Sequence, residues 1–241
     1  MMRKFFILIL FIPLLGMQSI YVHTHSTNFF RIRYEKSVSS KDAQAAGRTL
    51  ESAYENIRKK LNIGLSRRVD VDVYSTVERL FADTHTKLFN DGMFRNGKIY
   101  LRVKRGAASE MQDVAARVVS RAILDENKAC PPWLAEAYSL YAGNNLKTFG
   151  QPSRSNLATF SDLAEDFSRT EQAQEQKEVY AELASTMTFL IDRYGEAKIN
   201  GLFVRFQTGA PLEEIFETAF GEKIDVIQKA WADELTPKLK K

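Results

Sequence analysis

The segment VDVDVY, residues 69–74, has the clearest periodicity in the chain. Three valines alternate with aspartates, so apolar side chains recur at every second position. Because successive side chains of a strand point to opposite faces, this spacing predicts a strand with one buried and one polar face. A fold that contains this strand must pack an apolar layer against the valine side.

Further elements are predicted on both sides of this strand. Residues 30–35 also alternate between apolar and charged side chains, and KIYLRVK follows an Asn-Gly turn at residues 96–97. A helix with one apolar face is predicted from Ser40 to Leu61, and a short helix over TVERLFADT. From about Ser109 onward every strong pattern is helical. The order predicts an α+β fold with a small N-terminal sheet and an all-helical C-terminal part.

The composition is that of an ordinary globular domain. The 241 residues are 44% hydrophobic and 27% charged, with a formal net charge of +4. Three short basic runs, at residues 58–60, 67–68 and 104–105, are interpreted as solvated surface; if they converged, they could bind an anionic cell-surface polymer. The overall charge is too small to predict a nucleic-acid partner without a concentrated patch.

Residues 1–19 have the pattern of a secretory signal peptide. A short basic start precedes an apolar run from Phe5 to Leu15, which is shorter than the roughly 20 residues of a membrane span. We therefore expect an exported protein, periplasmic or extracellular, that contacts a membrane only if the leader is uncleaved. The folded domain is predicted over residues 28–235, followed by a basic tail, 236–241.

Cys130 is the single cysteine of the chain, so no intrachain disulfide can form. Its neighbours are apolar residues and prolines. This environment favours a buried structural thiol over a reactive one.

Six sequence motifs occur in one order along the chain: FRIRYE, VDVDVYS, GKIYL, PPWLAEAYSLY, YAELASTMTFLIDRYG and AWADEL. Together they resemble the secreted peptidase-MA-like domains, which are related to the gluzincin metallopeptidases. The resemblance extends over nearly the whole chain after the leader. It implies a zincin-like fold with a cleft between two helices.

The resemblance also implies where a zinc site would lie. An active-site helix in the family carries H-E-x-x-H, in which two histidines bind zinc and the glutamate activates the metal-bound water. The following helix supplies the third ligand, and Glu136 in PPWLAE matches it. Trp133 and Tyr180 match residues that the resemblance places near the cleft. Ala137 stands where the family has glycine.

The active-site helix lacks the zinc motif. By its apolar pattern and its distance from PPWLAE, the histidine positions correspond to Arg117 and Arg121, and the catalytic glutamate to Val118. A guanidinium cannot ligate zinc and valine cannot act as a base. We therefore predict no catalytic residue, no metal ligand and no cofactor, with Glu136 the only surviving match to a ligand.

Two interpretations of the arginines remain open. Asp113, Arg117, Arg121 and Asp125 recur every four residues, which is compatible with one solvated helix face. Alternatively, Glu136 faces Arg117 or Arg121, and a charge-assisted hydrogen bond replaces the zinc bridge. Tyr180 is interpreted as a packed core tyrosine.

The function predicted from these features is that of a pseudoenzyme, a catalytically inactive peptidase-like module that binds a protein, peptide or envelope ligand. One alternative is a zinc metallopeptidase with unusual ligands, Glu136 together with His85 or Asp125. A second alternative is a structural module of an envelope assembly. His85 is otherwise interpreted as loop surface, and His23 and His25 as part of a flexible end.

Overall fold

A computed structural model of the protein describes residues 21–85, 89–104, 111–126, 130–153, 159–169 and 173–239. The predicted signal peptide, residues 1–19, lies outside the described residues. Five strands form one sheet in these ranges: β1 (Tyr21–Ser26), β2 (Phe30–Glu35), β3 (Val69–Tyr74), β4 (Gly92–Arg95) and β5 (Lys98–Arg102). The three strands predicted from the sequence, β2, β3 and β5, therefore share one sheet, as expected.

Helices account for the rest of the regular structure. Their bounds are α1 (Ser40–Leu61), α2 (Val77–Thr84), α3 (Gln112–Glu126), α4 (Pro132–Ala142), α5 (Phe160–Arg169), α6 (Ala173–Tyr194), α7 (Glu196–Arg205), α8 (Leu212–Phe220) and α9 (Ile224–Leu239). Among the described residues after 109, helices and turns occur and no strand does. This confirms the predicted α+β class and the helical C-terminal part.

The strand order is β1-β2-β3-β5-β4, with the three central strands parallel and both edge strands antiparallel. Parallel neighbours need a long crossover, and α1 provides it between β2 and β3. α1 begins at the predicted residue, where the Ser39 hydroxyl accepts a hydrogen bond from the Asp42 amide at 3.1 Å. It ends at Asn62, whose positive φ of 51° terminates the helix.

The alternation in VDVDVY is explained by the two faces of the sheet. Val71 and Val73 are fully buried against the helices. On the opposite face Asp72 is buried between Arg33 and Lys98, at 2.6 and 2.9 Å. Cross-strand pairs of opposite charge stabilise adjacent strands, so the aspartates join β2, β3 and β5.

Both edge strands were missed by the sequence analysis. β1 pairs with β2 and includes His23 and His25, so the folded sheet begins at Tyr21, before the predicted domain start at residue 28. These histidines are in a strand and not in a flexible end. β4 was not predicted, because only four residues separate Asp91 from the Asn96-Gly97 hairpin turn, in which both residues have positive φ.

The C-terminal helix is longer than predicted. Ile227, Trp231 and Leu235 are buried at every fourth position of α9, and the helix continues through Leu239. Residues 236–239 are therefore helical and not a separate tail, while residues 240 and 241 lie outside the described residues. None of the described helices has the length and hydropathy needed to cross a membrane.

Lys104 of the third basic run lies apart from the second run, and Arg105 lies outside the described residues. Residues 67–68 precede the start of β3, whereas Lys104 follows the end of β5, its parallel neighbour. They therefore lie at opposite ends of the sheet. Lys60 pairs with Glu196 at 2.8 Å, and Arg58 with Glu55 at 3.2 Å.

Cys130 is buried directly before α4, as predicted for a structural thiol. Burial raises the pKa of the thiol to about 12. The native thiol is therefore protonated and a poor nucleophile at neutral pH.

Candidate functional site

Helix α3 lies between the sheet and α4 and contains both arginines of the degenerate motif. It packs on α1, α4, β4 and β5. Gly143, at the end of α4, allows this close approach, because a Cβ there would lie 2.5 Å from Cβ of Arg117. Arg117 and Arg121 are one turn apart and lie on the side of α3 that α4 and β4 approach.

Arg117 is buried and is joined to the sheet. Its side chain is 3% exposed, and Nη2 donates to Oδ1 of Asp91 at 2.6 Å. Its guanidinium carbon lies 3.8 Å from the ring centroid of Phe89, a cation–π contact. Nε of Arg117 is buried and has no hydrogen-bond partner among the described residues. The interpretation of the four-residue charge stripe as a solvated face is therefore wrong at Arg117.

Arg121 joins α3 to α4. Its Nε donates to Oε2 of Glu136 at 3.2 Å, and its Nη1 to Oδ1 of Asp125 at the same distance. The predicted ion pair with Glu136 is confirmed for Arg121, whereas Arg117 pairs with Asp91 instead. Asp113, the other end of the stripe, is exposed. The α3–α4 contact, which the family resemblance implied, thus contains a salt bridge with both side chains mostly buried.

Tyr180 donates the second side-chain hydrogen bond to the Glu136 carboxylate. The tyrosine lies on α6, and its hydroxyl donates to Oε1 of Glu136 at 3.1 Å. Burial raises the pKa of Tyr180, and the adjacent Glu136 carboxylate raises it further. The phenol therefore stays protonated and serves as a hydrogen-bond donor. Tyr180 packs against aromatic rings, as predicted, but it also makes a polar contact that the sequence did not reveal.

The space between these groups is small. We call it the cleft; it is lined by Phe89, Met93, Phe94, Arg117, Val118, Arg121, Glu136, Ser139 and Tyr180. Its volume is about 20 Å³, which is enough for about one water molecule. Val118 is fully buried beside it and offers only methyl groups. The Ser139 hydroxyl is already bonded to the Glu136 carbonyl oxygen at 2.7 Å.

Trp133 does not belong to the cleft. It is almost completely buried, and its ring stacks on Phe160 at a centroid distance of 5.2 Å. A tryptophan three residues before Glu136 in α4 is directed into the core between α4 and α5. The prediction of a cleft position for Trp133 is therefore wrong.

Asp91 and Phe89 are the site residues that sequence reasoning missed. The sequence analysis assigned neither residue a role. An acidic residue directly before an edge strand is a weak pattern, and its partner Arg117 is 26 residues away along the chain. No local periodicity connects the two.

A family model described as the peptidase MA superfamily matches residues 97–236, which is more than half of the chain. The chain belongs to the peptidase MA superfamily. No curated protein and no solved structure matches it. The superfamily match includes β5, α3 and α4, and therefore Arg117, Val118, Arg121 and Glu136.

The side chains of this peptidase MA domain do not fit a zinc ion at the position that the motif implies. Two guanidinium groups and a valine offer no lone pair, and both Glu136 oxygens have hydrogen-bond partners. Among the described residues there is no group of three or more histidine, cysteine, aspartate or glutamate side chains that could hold a metal. His85, proposed as an unusual ligand, caps the C-terminus of α2 and does not line the cleft.

Proposed function

We propose that this peptidase MA domain is an exported, catalytically inactive member of its superfamily that binds an extended segment of another protein or peptide. The observation that carries the proposal is the Arg121–Glu136 ion pair at 3.2 Å. It joins the residue that matches the third zinc ligand to a residue at a histidine position. Both oxygens of the Glu136 carboxylate bind donors of the protein, a guanidinium and a phenol, and these contacts contribute to stability. The carboxylate is therefore not free to bind a metal ion that would hold a substrate in an open coordination position.

The outer side of β4, next to the cleft, supports a binding role. Directly before β4, the Arg102 amide donates a hydrogen bond to the Asp91 carbonyl oxygen at 2.8 Å. This bond fixes which residues of β4 form backbone hydrogen bonds with β5. Met93 and Arg95 then pair with β5, while the N–H and C=O groups of Gly92 and Phe94 point away from it. No described strand pairs with this side of β4. An extended segment could add there as a further strand.

Export is supported by residues 1–19, whose basic start and short apolar run are typical of a signal peptide. N-terminal sequencing of the mature protein tests this part. A chain that begins near residue 20 in a periplasmic or culture fraction is expected. An intact leader on a cytoplasmic protein contradicts it.

The loss of catalysis is tested by rebuilding the motif. The native protein is expected to contain no stoichiometric zinc and to hydrolyse casein at background rates. The triple variant Arg117→His/Val118→Glu/Arg121→His is expected to bind about one equivalent of zinc, because two imidazoles would then face Glu136.

The matched control is the same triple variant with Glu136→Ala, which should lose most of the zinc affinity. Stoichiometric zinc in the native protein, together with hydrolysis that a chelator abolishes, contradicts the proposal. That result would favour a metallopeptidase with unusual ligands.

A further inference from the structure

Two histidines, His23 and His25, lie on the same face of the edge strand β1. In the antiparallel register His23 is paired with Tyr34 and His25 with Ile32, and both of these β2 side chains are buried on the helix side of the sheet. The bulge of β1 lies between Tyr21 and His23, so the alternation from His23 to His25 is regular. The Cα atoms of the two histidines are therefore about 7 Å apart, and their imidazoles project side by side.

Both imidazoles are positioned by packing contacts. The His23 ring lies against the Tyr34 ring, with a distance of 5.3 Å between centroids. His25 lies beside Gly47 of α1, where an added Cβ would be 3.6 Å from Cδ2 of His25 and 2.8 Å from Cδ1 of Ile32. Glycine in a helix interior costs about 1 kcal/mol relative to alanine, and here it permits the close approach of α1 to the strands. The positions of the two rings therefore follow from the fold itself.

The ring nitrogens of both histidines are accessible to a ligand. Neither imidazole has a hydrogen bond or an ion pair among the described residues. His23 is exposed and His25 is half-buried. The buried side-chain nitrogens that lack a partner in the described part of the chain are those of Arg102 and Arg117, and the His25 nitrogens are not among them. Both nitrogens of His25 therefore contact solvent.

The chemistry of this pair selects the kind of ligand. Neutral imidazole is a common ligand of Cu²⁺, Ni²⁺ and Zn²⁺ in proteins, whereas Mg²⁺ and Ca²⁺ prefer oxygen. The guanidinium groups of β2, Arg31 and Arg33, lie on the opposite face of the sheet, where each is paired with an aspartate at 2.6 Å. They are therefore not placed to repel a cation bound between the imidazoles.

We propose that His23 and His25 together bind a divalent first-row transition-metal ion, with Cu²⁺ bound more tightly than Zn²⁺. The ion would form bonds of about 2.0–2.1 Å to one nitrogen of each ring. No third histidine, cysteine, aspartate or glutamate joins the pair within the described residues, so water completes the coordination. β1 and β4 are opposite edges of the sheet, and this site is therefore separate from the cleft and independent of the proposed function.

The affinity depends on both histidines. Once one imidazole has bound the ion, the second binds it intramolecularly, so the pair should bind about a hundredfold more tightly than either histidine alone. Affinity for divalent ions increases along the first row to Cu²⁺ and is lower for Zn²⁺. Zinc held by only two side chains is therefore expected to be lost during purification.

The test uses the full chain, without its leader if that is cleaved, purified without a histidine tag and treated with a chelator that is then removed. Calorimetric titration with Cu²⁺ is expected to show about one equivalent bound per chain. Electron paramagnetic resonance of the Cu²⁺ form should show two nitrogen ligands. Zn²⁺ should bind more weakly, and Mg²⁺ should not bind.

His23→Asn and His25→Asn should each lower the Cu²⁺ affinity about a hundredfold and leave one nitrogen ligand in the spectrum. His85→Asn is the matched control and should change neither. His85 is the third histidine of the chain and lies at the C-terminus of α2, and asparagine accepts its positive φ of 55°. Melting temperatures identify any variant that fails to fold.

The double variant Thr24→His/His25→Thr tests the strand geometry. It keeps two histidines in β1 but places them on opposite faces, so it should bind Cu²⁺ as weakly as the single variants. Unchanged affinity in this variant would mean that a flexible segment binds the ion, and it would overturn the site on β1.

Two further outcomes overturn the proposal. One is the absence of saturable Cu²⁺ binding to the native chain. The other is undiminished binding in His23→Asn/His25→Asn, which would place the ion at other donors, such as the amino terminus. The same double variant separates this site from the rebuilt zinc motif in the cleft, because zinc bound to that motif should be unaffected by it.

Discussion

Arg117 and Arg121 are one turn apart on the same helix, yet they join α3 to different parts of the molecule. Arg117 connects it to the strand side through Asp91, whose side chain is 38% exposed. Arg121 connects it to α4 through Glu136, which is mostly buried. From this difference we expect the cost of removing a partner to depend on the burial of the charge that is left behind.

The largest effect is expected from Asp91→Ala. This change leaves the Arg117 guanidinium buried without a carboxylate, which should lower the free energy of unfolding by about 3 kcal/mol. Arg117→Met should cost only about 1.5 kcal/mol, because the remaining Asp91 can be hydrated. Urea unfolding measures both values.

The double variant Arg117→Met/Asp91→Ala controls for packing. It should be more stable than Asp91→Ala alone, because the unpaired buried charge is gone. Equal destabilisation by the two single variants would show that burial of the remaining charge does not govern the pair.

Glu136→Ala should lower the free energy of unfolding by about 2 kcal/mol. It removes the acceptor of the Tyr180 hydroxyl and one of the two carboxylates bound to Arg121. Glu136→Gln keeps an acceptor for Tyr180 and should cost less. Peptidase activity of both variants should stay at the background of the native protein, and a selective loss of activity would instead identify Glu136 as a metal ligand.

The fold was predictable to the extent that it follows local periodicity. Alternating apolar residues predicted the three central strands, β2, β3 and β5. The apolar face of α1 predicted the helix that connects β2 to β3. β1 and β4 were missed because each depends on pairing with a neighbouring strand, and neither shows a clear alternation. A short edge strand is stabilised by its ladder more than by its own sequence.

The candidate site was predictable in part for a different reason. The Arg121–Glu136 pair is one of the two pairings that the family resemblance implied. The Arg117–Asp91 pair joins a helix to the start of a hairpin strand, and only the folded sheet brings them together. Trp133 was misplaced because its neighbours in sequence are compatible with either a cleft or a core position.

Tyr180→Phe tests the third contact on the Arg121 side and should cost about 1 kcal/mol at neutral pH. The pKa of Tyr180 is raised in the folded protein, so the stability from its proton is complete below the ordinary tyrosine pKa of about 10. This stability is lost as the pH rises through the raised pKa of Tyr180 in the folded protein. The difference between the native protein and Tyr180→Phe should therefore shrink above about pH 10.

Tyr194→Phe is the control for this comparison. Its hydroxyl accepts a hydrogen bond from Nε of the exposed Arg193 side chain, and its ring stacking on Phe220 is kept in the variant. Its neutral-pH cost should be near zero. A cost equal to that of Tyr180→Phe would indicate that the Glu136 contact adds nothing.

The smallest effect is expected from Asp125→Ala, and its context makes it informative. Asp125 is 45% exposed and pairs with Arg121 at i and i+4, an arrangement that contributes about 0.2–0.5 kcal/mol.

In the native protein Arg121 keeps its ion pair with Glu136 when Asp125 is removed. In the Glu136→Ala background Asp125 is the remaining carboxylate within reach among the described residues. Removal of Asp125 should therefore cost more in that background, with a coupling of about 0.5 kcal/mol, and 0.5 M salt should reduce it. Strict additivity in a double-mutant cycle would show that the two carboxylates do not share Arg121, and that each pair stabilises α3 independently.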